Sequence, residues 1–187
     1  MRRNVFRSLA RSPRVAVLPL LAAAGLLVAG CSTPPPAFTV FVGKGSVQVP
    51  PTQYCDITGL HNCQANGGAA AVVSVRDGQI VQVSAPESVA TTPWQVAAEY
   101  HNAANGNSYV ACSPLFPASQ QYAYTVRPPS GDQLVVIEIY ESSTSLVALN
   151  NGGFAAIARG TWVLTNDANG APTYPKAGDN LCEDKGA

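Results

Sequence analysis

Side chains that could act as acids, bases or nucleophiles are few in this sequence, and no catalytic spacing joins them. His61 and His101 are the two histidines, so histidine-based acid–base catalysis has few possible arrangements. A serine hydrolase of the nucleophile-elbow type would need a Gly-x-Ser-x-Gly turn, which the sequence lacks. The serines at 142, 143 and 145 surround Thr144 after a strand-like run, a pattern typical of a solvated turn. We therefore expect no catalytic residues.

Paired carboxylates could serve glycoside hydrolysis, and the nearest candidates are Glu138 with Glu141 or with Asp132. Three positions separate the two glutamates, so on a strand their side chains point to opposite faces. We expect ordinary surface charges instead of an acid–base pair. The oxygen-rich run 166–170 lacks the ligand register of an EF-hand calcium loop and predicts a simple turn. The sequence therefore indicates neither a metal site nor a bound cofactor.

Tyrosines are the remaining candidates for a binding surface, because the ring can stack on a ligand and carries a hydroxyl. Tyr122 and Tyr124 alternate and so share one face of a strand. Their alternative role is to fill the core with their hydroxyls at its rim, and we favour it. The candidate set is Tyr54, Tyr100, Tyr109, Tyr122, Tyr124 and Tyr140.

The first thirty residues have the organisation of an export signal. Residues 1–14 hold five arginines, and 15–29 form a continuous apolar run of fifteen residues, short of the about 20 that a membrane span needs. The end of this run, Val28-Ala29-Gly30-Cys31, resembles the lipobox of bacterial lipoproteins. The resemblance implies cleavage after Gly30 and a diacylglyceryl group on Cys31, whose two chains give stable attachment. Residues 32–36, Ser-Thr-Pro-Pro-Pro, predict an extended tether.

The other four cysteines form an even set in an exported chain, which favours disulfides. Three connectivities are possible. We prefer Cys55 with Cys63, which closes a short polar loop, and Cys112 with Cys182, which ties the C-terminal tail to the body. In the chain-entropy model these bridges contribute roughly 2–3 and roughly 4 kcal/mol. The alternative, a metal site of Cys55, His61 and Cys63, lacks the second ligand pair of a zinc finger.

Charge is distributed unevenly along the chain. Eleven cations and eleven anions give a formal net charge of zero. Five of the cations lie in the leader, and the first anion is Asp56, so removal of residues 1–30 leaves a net charge of −5. An acidic domain without a basic cluster has no electrostatic attraction for phosphate backbones, which argues against nucleic-acid binding. The remaining length, about 150 residues, suits one domain.

Short apolar runs separated by turn residues predict about eight or nine strands and no long helix. Phe38–Val42 and 46–49 flank a glycine-rich turn and predict a hairpin, and 70–75 with 80–83 repeat the pattern. Further runs lie at 94–100, 108–112, 122–126, 134–140 and 154–164. This spacing is typical of an all-β, immunoglobulin-like antiparallel β-sandwich.

The core can be predicted from the alternation within these runs. We expect Trp94 at its centre, on the sheet opposite Val81 and Val83. The run 134–140 should direct Val135, Ile137 and Ile139 to the core.

Six segments carry a resemblance to a known family. They are PTQYCD at 51–56, PWQV at 93–96, SPLF at 113–116, YAYT at 122–125, DQL at 132–134 and TWVL at 161–164. In this order, over residues 38–166, the chain resembles an actinobacterial, mycobacterial-type lipoprotein family of unknown function (domain of unknown function 2771). The resemblance implies a membrane-anchored envelope protein with an immunoglobulin-like body, and it transfers no activity and no catalytic residues.

The sequence thus divides into a signal peptide at 1–30, a lipidated cysteine and proline-rich tether at 31–36, a sandwich at 37–166 and a disulfide-tethered tail at 167–187. We expect a non-enzymatic lipoprotein on the extracytoplasmic face of the cell membrane, held by its lipid anchor and contacting another envelope protein. The alternative is a binder or carrier of a lipid, glycan or small solute in a cavity between the sheets.

Overall fold

The computed structural model describes residues 34–148, 152–167 and 182 of the 187-residue chain. From Pro35 onward these residues belong to one compact unit. The predicted leader, with Gly30 and Cys31, lies outside the described residues, as does most of the predicted tail.

Strands dominate the described part of the chain. One short helix, α1, spans Glu87–Ala90, and a single 3-10 turn spans Gly67–Ala69. The strands are β1 Phe38–Val42, β2 Gly45–Val49, β3 Gln53–Tyr54, β4 Gln64–Ala65, β5 Ala71–Val73, β6 Val81–Ser84, β7 Trp94–Asn102, β8 Ser108–Cys112, β9 Ala123–Val126, β10 Asp132–Ala148 and β11 Phe154–Asn166.

The strands form two sheets that pack face to face. The smaller sheet has the order β2-β1-β6-β9, and the larger has the order β4-β3-β11-β10-β7-β8 with β5 alongside β11. Among the described strands only the β5–β11 pair is parallel. The predicted all-β sandwich is confirmed.

The first predicted hairpin is present, and the second is not. β1 pairs with β2 through a two-residue turn, in which Gly43 adopts φ +59°, a left-handed conformation that glycine reaches without steric cost. β5 and β6 instead lie in different sheets, since β5 pairs with β11 and β6 pairs with β1 and β9. The turn at 76–79 therefore connects the two sheets, and the hairpin prediction for 70–83 is wrong.

The core lies between the sheets and is centred on aromatic rings. Trp94, Trp162 and Phe38 are fully buried, and the Phe38 ring centroid lies 5.7 Å from that of Trp94 and 4.8 Å from that of Trp162. Tilted and edge-on contacts of this kind are favoured by the ring quadrupoles. Val81 and Val83 are buried on the opposite sheet, which confirms the predicted position of Trp94.

β10 departs from the predicted alternation. Its register against β7 shifts between Leu134 and Val136, so one extra residue stands between them. Leu134 joins the core together with Ile137 and Ile139, whereas Val135 is only partly buried. The prediction that Val135 faces the core is wrong because the bulge offsets the two-residue period by one position.

β10 and β11 continue beyond the sandwich as a two-stranded extension, which we call the hairpin arm (142–148 and 154–158). Leu146 pairs with Ala156 and Ala148 with Phe154, after two further register shifts between Glu141 and Leu146. The serine- and threonine-rich segment 142–145 belongs to the strand, so the prediction of a turn there is wrong. The irregular register removes the alternation that would have indicated a strand.

Candidate functional site

The two histidines lie on separate elements and share no acid–base geometry. His61 is exposed in the loop closed by Cys55 and Cys63, and its carbonyl accepts a hydrogen bond from the backbone N–H of Asp56. His101 lies within β7, not at the start of a turn, with Nδ1 3.3 Å from Ser108 Oγ. The β3–β4 edge of the larger sheet is separated from β7 by β11 and β10.

The three carboxylates considered as a catalytic pair are all buried: Asp132, Glu138 and Glu141. The expectation that they are ordinary surface charges is wrong. Glu141 faces Thr92 and Arg159, whereas Glu138 accepts a hydrogen bond from Tyr140. The two glutamates therefore have separate surroundings, as their spacing predicts.

Glu141 forms a buried ion pair at the base of the hairpin arm. Its Oε1 accepts hydrogen bonds from Thr92 Oγ1 at 2.8 Å and from Arg159 Nη1 at 3.1 Å. Arg159 Nη2 donates to the Tyr54 hydroxyl at 2.7 Å, and its guanidinium carbon lies 4.9 Å from the Tyr54 ring centroid. Burial raises the pKa of Glu141, against the opposing effects of Thr92 and Arg159.

This ion pair has two properties of a catalytic acid, but substrate access is missing. The pKa is raised, and Glu141 Oε2 has no hydrogen-bond partner among the described residues, nor has Arg159 Nε. The Glu141 side chain is 0% exposed, so a substrate would have to open the sandwich to reach it. A structural role, in which the pair joins β10 to β11 and β3, fits the geometry better.

Asp132 is the second buried carboxylate, and it holds three strands together. It lies at the start of β10 and accepts hydrogen bonds from Asn102 Nδ2 at 2.6 Å and from the Tyr109 hydroxyl at 2.5 Å. The bond to Asp132 raises the pKa of Tyr109. Burial raises the pKa of the neighbouring Tyr100 to about 12. The Asp132 carboxylate therefore joins β10 to β7 and β8 through hydrogen bonds from neutral donors.

Four of the six candidate tyrosines belong to the core or pack against it: Tyr54, Tyr100, Tyr109 and Tyr124. The core role favoured from the sequence is confirmed for Tyr124. Tyr100 and Tyr140 are buried, and Tyr124 packs against Phe116 with ring centroids 5.3 Å apart. Tyr122 is exposed, so the core role predicted for it is wrong. It precedes β9, where the sheet no longer covers it.

Asn166 is a buried polar residue that sequence reasoning missed. The sequence places it in a turn, but it ends β11. Its Nδ2 donates to the carbonyls of Val75 and Leu134, both at 2.9 Å, and its Oδ1 accepts from the Val75 N–H at 3.0 Å. The Asn166 side chain thereby forms hydrogen bonds with backbone groups of Leu134 and of Val75, which lies in the segment that connects the two sheets. In the sequence, an asparagine directly after an apolar strand has the same pattern as the first residue of a turn. The burial of Asn166 could therefore not be predicted.

Both preferred disulfides are present, Cys55–Cys63 and Cys112–Cys182. Their sulfurs are covalently bonded, which leaves no thiolates for a site of Cys55, His61 and Cys63. Within 34–148, 152–167 and 182, no cluster of three or more His, Cys, Asp or Glu side chains could hold a metal ion.

A cavity of about 240 Å³ opens between the β1–β2 hairpin and the end of β5. Its walls are mainly apolar, with Val40, Val42, Val47 and Val73 among them. Ligand sites usually measure about 300–1,000 Å³. The cavity is therefore small for a lipid chain or a sugar and large enough for part of one.

Exposed apolar side chains gather at opposite ends of the sandwich. The first group, the arm surface, consists of Leu146, Val147 and Phe154 on the hairpin arm. The second group, the far surface, consists of Phe41 on β1 and Ile80, which directly precedes β6. Solitary apolar residues on a surface are ordinary, whereas grouped ones indicate contacts with other molecules.

No helix in the described residues is long and apolar enough to cross a membrane.

Comparison with known proteins yields a family and uncharacterized relatives. A family model described as "Protein of unknown function (DUF2771)" matches residues 32–166. Uncharacterized proteins of Mycobacterium tuberculosis and Mycobacterium bovis are each 26% identical to the chain over 160 residues, which cover 83% of the chain and 95% of the relative. No solved structure matches the chain.

Proposed function

The chain belongs to this family of proteins of unknown function, and from that premise we propose that it is a membrane-anchored lipoprotein whose β-sandwich is a noncatalytic interaction module. Its location is the extracytoplasmic face of the cell membrane, and its partner is another protein of the envelope. The basic and apolar leader, the lipobox-like end and the proline-rich tether support the anchor.

The hydrogen bonds that the buried carboxylates accept support a noncatalytic role. Glu141, Asp132 and Glu138 each accept hydrogen bonds from neighbouring strands or from the residue two positions away. A carboxylate held in this way stabilises the fold, and moving it to serve a substrate would leave buried donors without partners.

The far surface is the observation that carries the proposed interaction. Phe41 is 43% exposed and Ile80 is 49% exposed. Phe41 pairs with Gln82 in the register between β1 and β6, and Ile80 lies two positions from Gln82. The two apolar side chains therefore share the outer face of the smaller sheet, at the end opposite to the start of β1. A domain anchored through its N-terminus would direct them toward other envelope proteins.

In-cell photo-crosslinking of the full-length protein tests this function. With a photoreactive amino acid at Phe41, we expect one discrete adduct with an envelope protein, reduced at least about fivefold by Ile80→Asp. The matched control carries the photoreactive residue at Gln48, which is exposed on the same sheet near the other end of β1, and should give no such adduct. In the same cells, mass spectrometry of the wild-type protein should find a diacylglyceryl group on Cys31, and Cys31→Ser should abolish it.

Three results would contradict the proposal. An adduct that persists after Ile80→Asp, or no adduct at Phe41 in intact cells, would remove the far surface as the site of interaction. A wild-type protein that carries no diacylglyceryl mass on Cys31 would remove the anchor.

The cavity between β1–β2 and β5 favours one second candidate, the binding of a small apolar ligand or part of a lipid. Val47→Trp would fill the cavity, because Val47 lines its wall. Native mass spectrometry of protein extracted from its own membrane should then show a bound mass that the variant lacks. An identical bare mass for both proteins would eliminate this candidate.

A further inference from the structure

We propose that the hairpin arm is a second membrane contact, whose arm surface enters the lipid interface beside the anchor. This inference rests on the proposed lipid anchor at Cys31. It concerns a different part of the molecule from the far surface, and a bilayer, not a protein, is the occupant.

The start of the described chain is held next to the base of the arm. The carbonyl oxygen of Pro36 accepts a hydrogen bond of 2.9 Å from Trp162 Nε1. Trp162 lies on β11, two residues from Gly160, and Gly160 pairs with Glu141 where the arm begins. The N-terminal entry of the sandwich and the arm are therefore at the same end of the fold.

The opposite end is identified by independent contacts. Val42, at the other end of β1, lines the same cavity as Val73, and Val73 pairs with Asn166 at the far end of β11. β1 and β11 therefore run in the same direction, and the arm extends β11 beyond the start of β1.

Chain length limits how far this end can lie from the bilayer. Five residue steps separate Cys31 from Pro36, which span at most about 18 Å. From Gly160 to Phe154 the arm advances six residues, or about 20 Å at the rise of a strand. The arm is therefore slightly longer than the greatest separation of Pro36 from the bilayer that the tether allows.

The arm has the composition of a segment that enters an interface. The two strands of the arm, SSTSLVA at 142–148 and FAAIA at 154–158, contain no charged residue. Phe154 is 71% exposed and Leu146 is 65% exposed, and both lie on one face, because Ala148 opposite Phe154 is two positions from Leu146. Interfacial segments bury such side chains about 5–10 Å deep.

Two charged residues near the base of the arm are held by contacts within the protein. Arg159, at the base of the arm, is paired with Glu141. Asp56, in the adjoining loop, accepts hydrogen bonds from Thr58.

The loop that holds Asp56 contacts the arm through the carbonyl of Ile57, which accepts a hydrogen bond from the Thr144 N–H at 3.0 Å. This loop adds two exposed apolar side chains, Ile57 and Leu60, to the same end of the fold. A two-stranded arm has unpaired backbone edges, so it can enter the hydrated interface but not the hydrocarbon core.

Photolabelling of the full-length protein in vesicles tests the inference. The vesicles consist of phosphatidylethanolamine and phosphatidylglycerol with a trace of phospholipid carrying a diazirine at the headgroup end of an acyl chain. We expect labels on the arm peptides of the wild-type protein, reduced at least about fivefold in the Leu146→Asp/Phe154→Asp variant. The matched control, Phe41→Asp/Ile80→Asp, changes two exposed apolar residues at the other end and should leave arm labelling unchanged.

Each outcome decides one of the two proposals. If mass spectrometry finds diacylglyceryl Cys31 and the arm is labelled no more than exposed peptides of the body, this inference is overturned and the anchor stands. If Cys31 carries no acyl mass but the arm is labelled and the aspartates abolish the label, the arm contact stands and the anchor falls. In native membrane vesicles, crosslinking of position 154 to a protein instead of to lipid would also overturn the inference.

Discussion

At the scale of the residue, the ionisation of Glu141 links stability to pH. Burial raises its pKa in the folded protein, so between the ordinary and the raised pKa the folded state binds more protons than the unfolded state. The stability that the neutral carboxyl contributes is fully present below the ordinary pKa of 4.5. It is lost as the pH rises through the raised pKa.

We predict that Glu141→Gln removes this dependence. The free energy of unfolding of the wild type, relative to that of the variant, should fall as the pH rises above 4.5 and then level off, because the glutamine stays neutral. Urea unfolding with the disulfides intact, from about pH 4 to about pH 8, measures it. Thr92→Val removes a hydrogen bond that lowers the pKa of Glu141. In this variant the free energy of unfolding should therefore continue to fall up to a higher pH. A wild type that gains stability relative to Glu141→Gln as the pH rises would show that Arg159 outweighs burial.

At the scale of the element, the lack of a side chain at Gly160 lets β11 pack closely against two aromatic rings. A Cβ at this position would lie 2.5 Å from Trp162 Cη2 and 2.9 Å from Tyr54 Cδ2. Both rings pack against each other, with centroids 6.0 Å apart. We predict that Gly160→Ala lowers the free energy of unfolding by about 1–3 kcal/mol through overpacking, measured by chemical denaturation.

The control for this prediction is Gly45→Ala in β2. A Cβ there would lie 3.8 Å from its nearest neighbour, the carbonyl oxygen of Val42, an ordinary contact. The expected change is within about 0.5 kcal/mol. Equal effects of the two alanines would contradict close packing at Gly160.

At the scale of the whole molecule, the two disulfides constrain loops of very different length. Cys112–Cys182 joins residues 70 positions apart and encloses β9, β10 and β11, whereas Cys55–Cys63 joins residues 8 apart. We predict that replacing Cys112 and Cys182 by serine lowers the free energy of unfolding by about 4 kcal/mol, and replacing Cys55 and Cys63 by about 2.5 kcal/mol. Denaturant unfolding of the two double variants measures both, and the reverse order would show that loop entropy does not set their contributions.

Features that depend on near neighbours could be predicted from the amino-acid sequence. Two-residue alternation and turn residues predicted most strands and the β1–β2 hairpin, because a tight turn brings adjacent segments together whatever surrounds them. The central position of Trp94 was also predicted, and the cysteine pairing preferred among three possible ones is present. The family resemblance was carried by short segments in a fixed order.

Features that depend on strand partners remote in sequence could not be predicted and became evident from the fold. The run 70–75 pairs with β11 instead of with its neighbour β6, and bulges carry β10 through the serine-rich segment into the arm. Glu141 is buried because Arg159 and Thr92 meet it from β11 and from the segment before β7. A polar side chain can be buried only where another group forms a hydrogen bond or ion pair with it. Strand pairing determines which groups come that close, and a local sequence pattern carries no information about strand pairing.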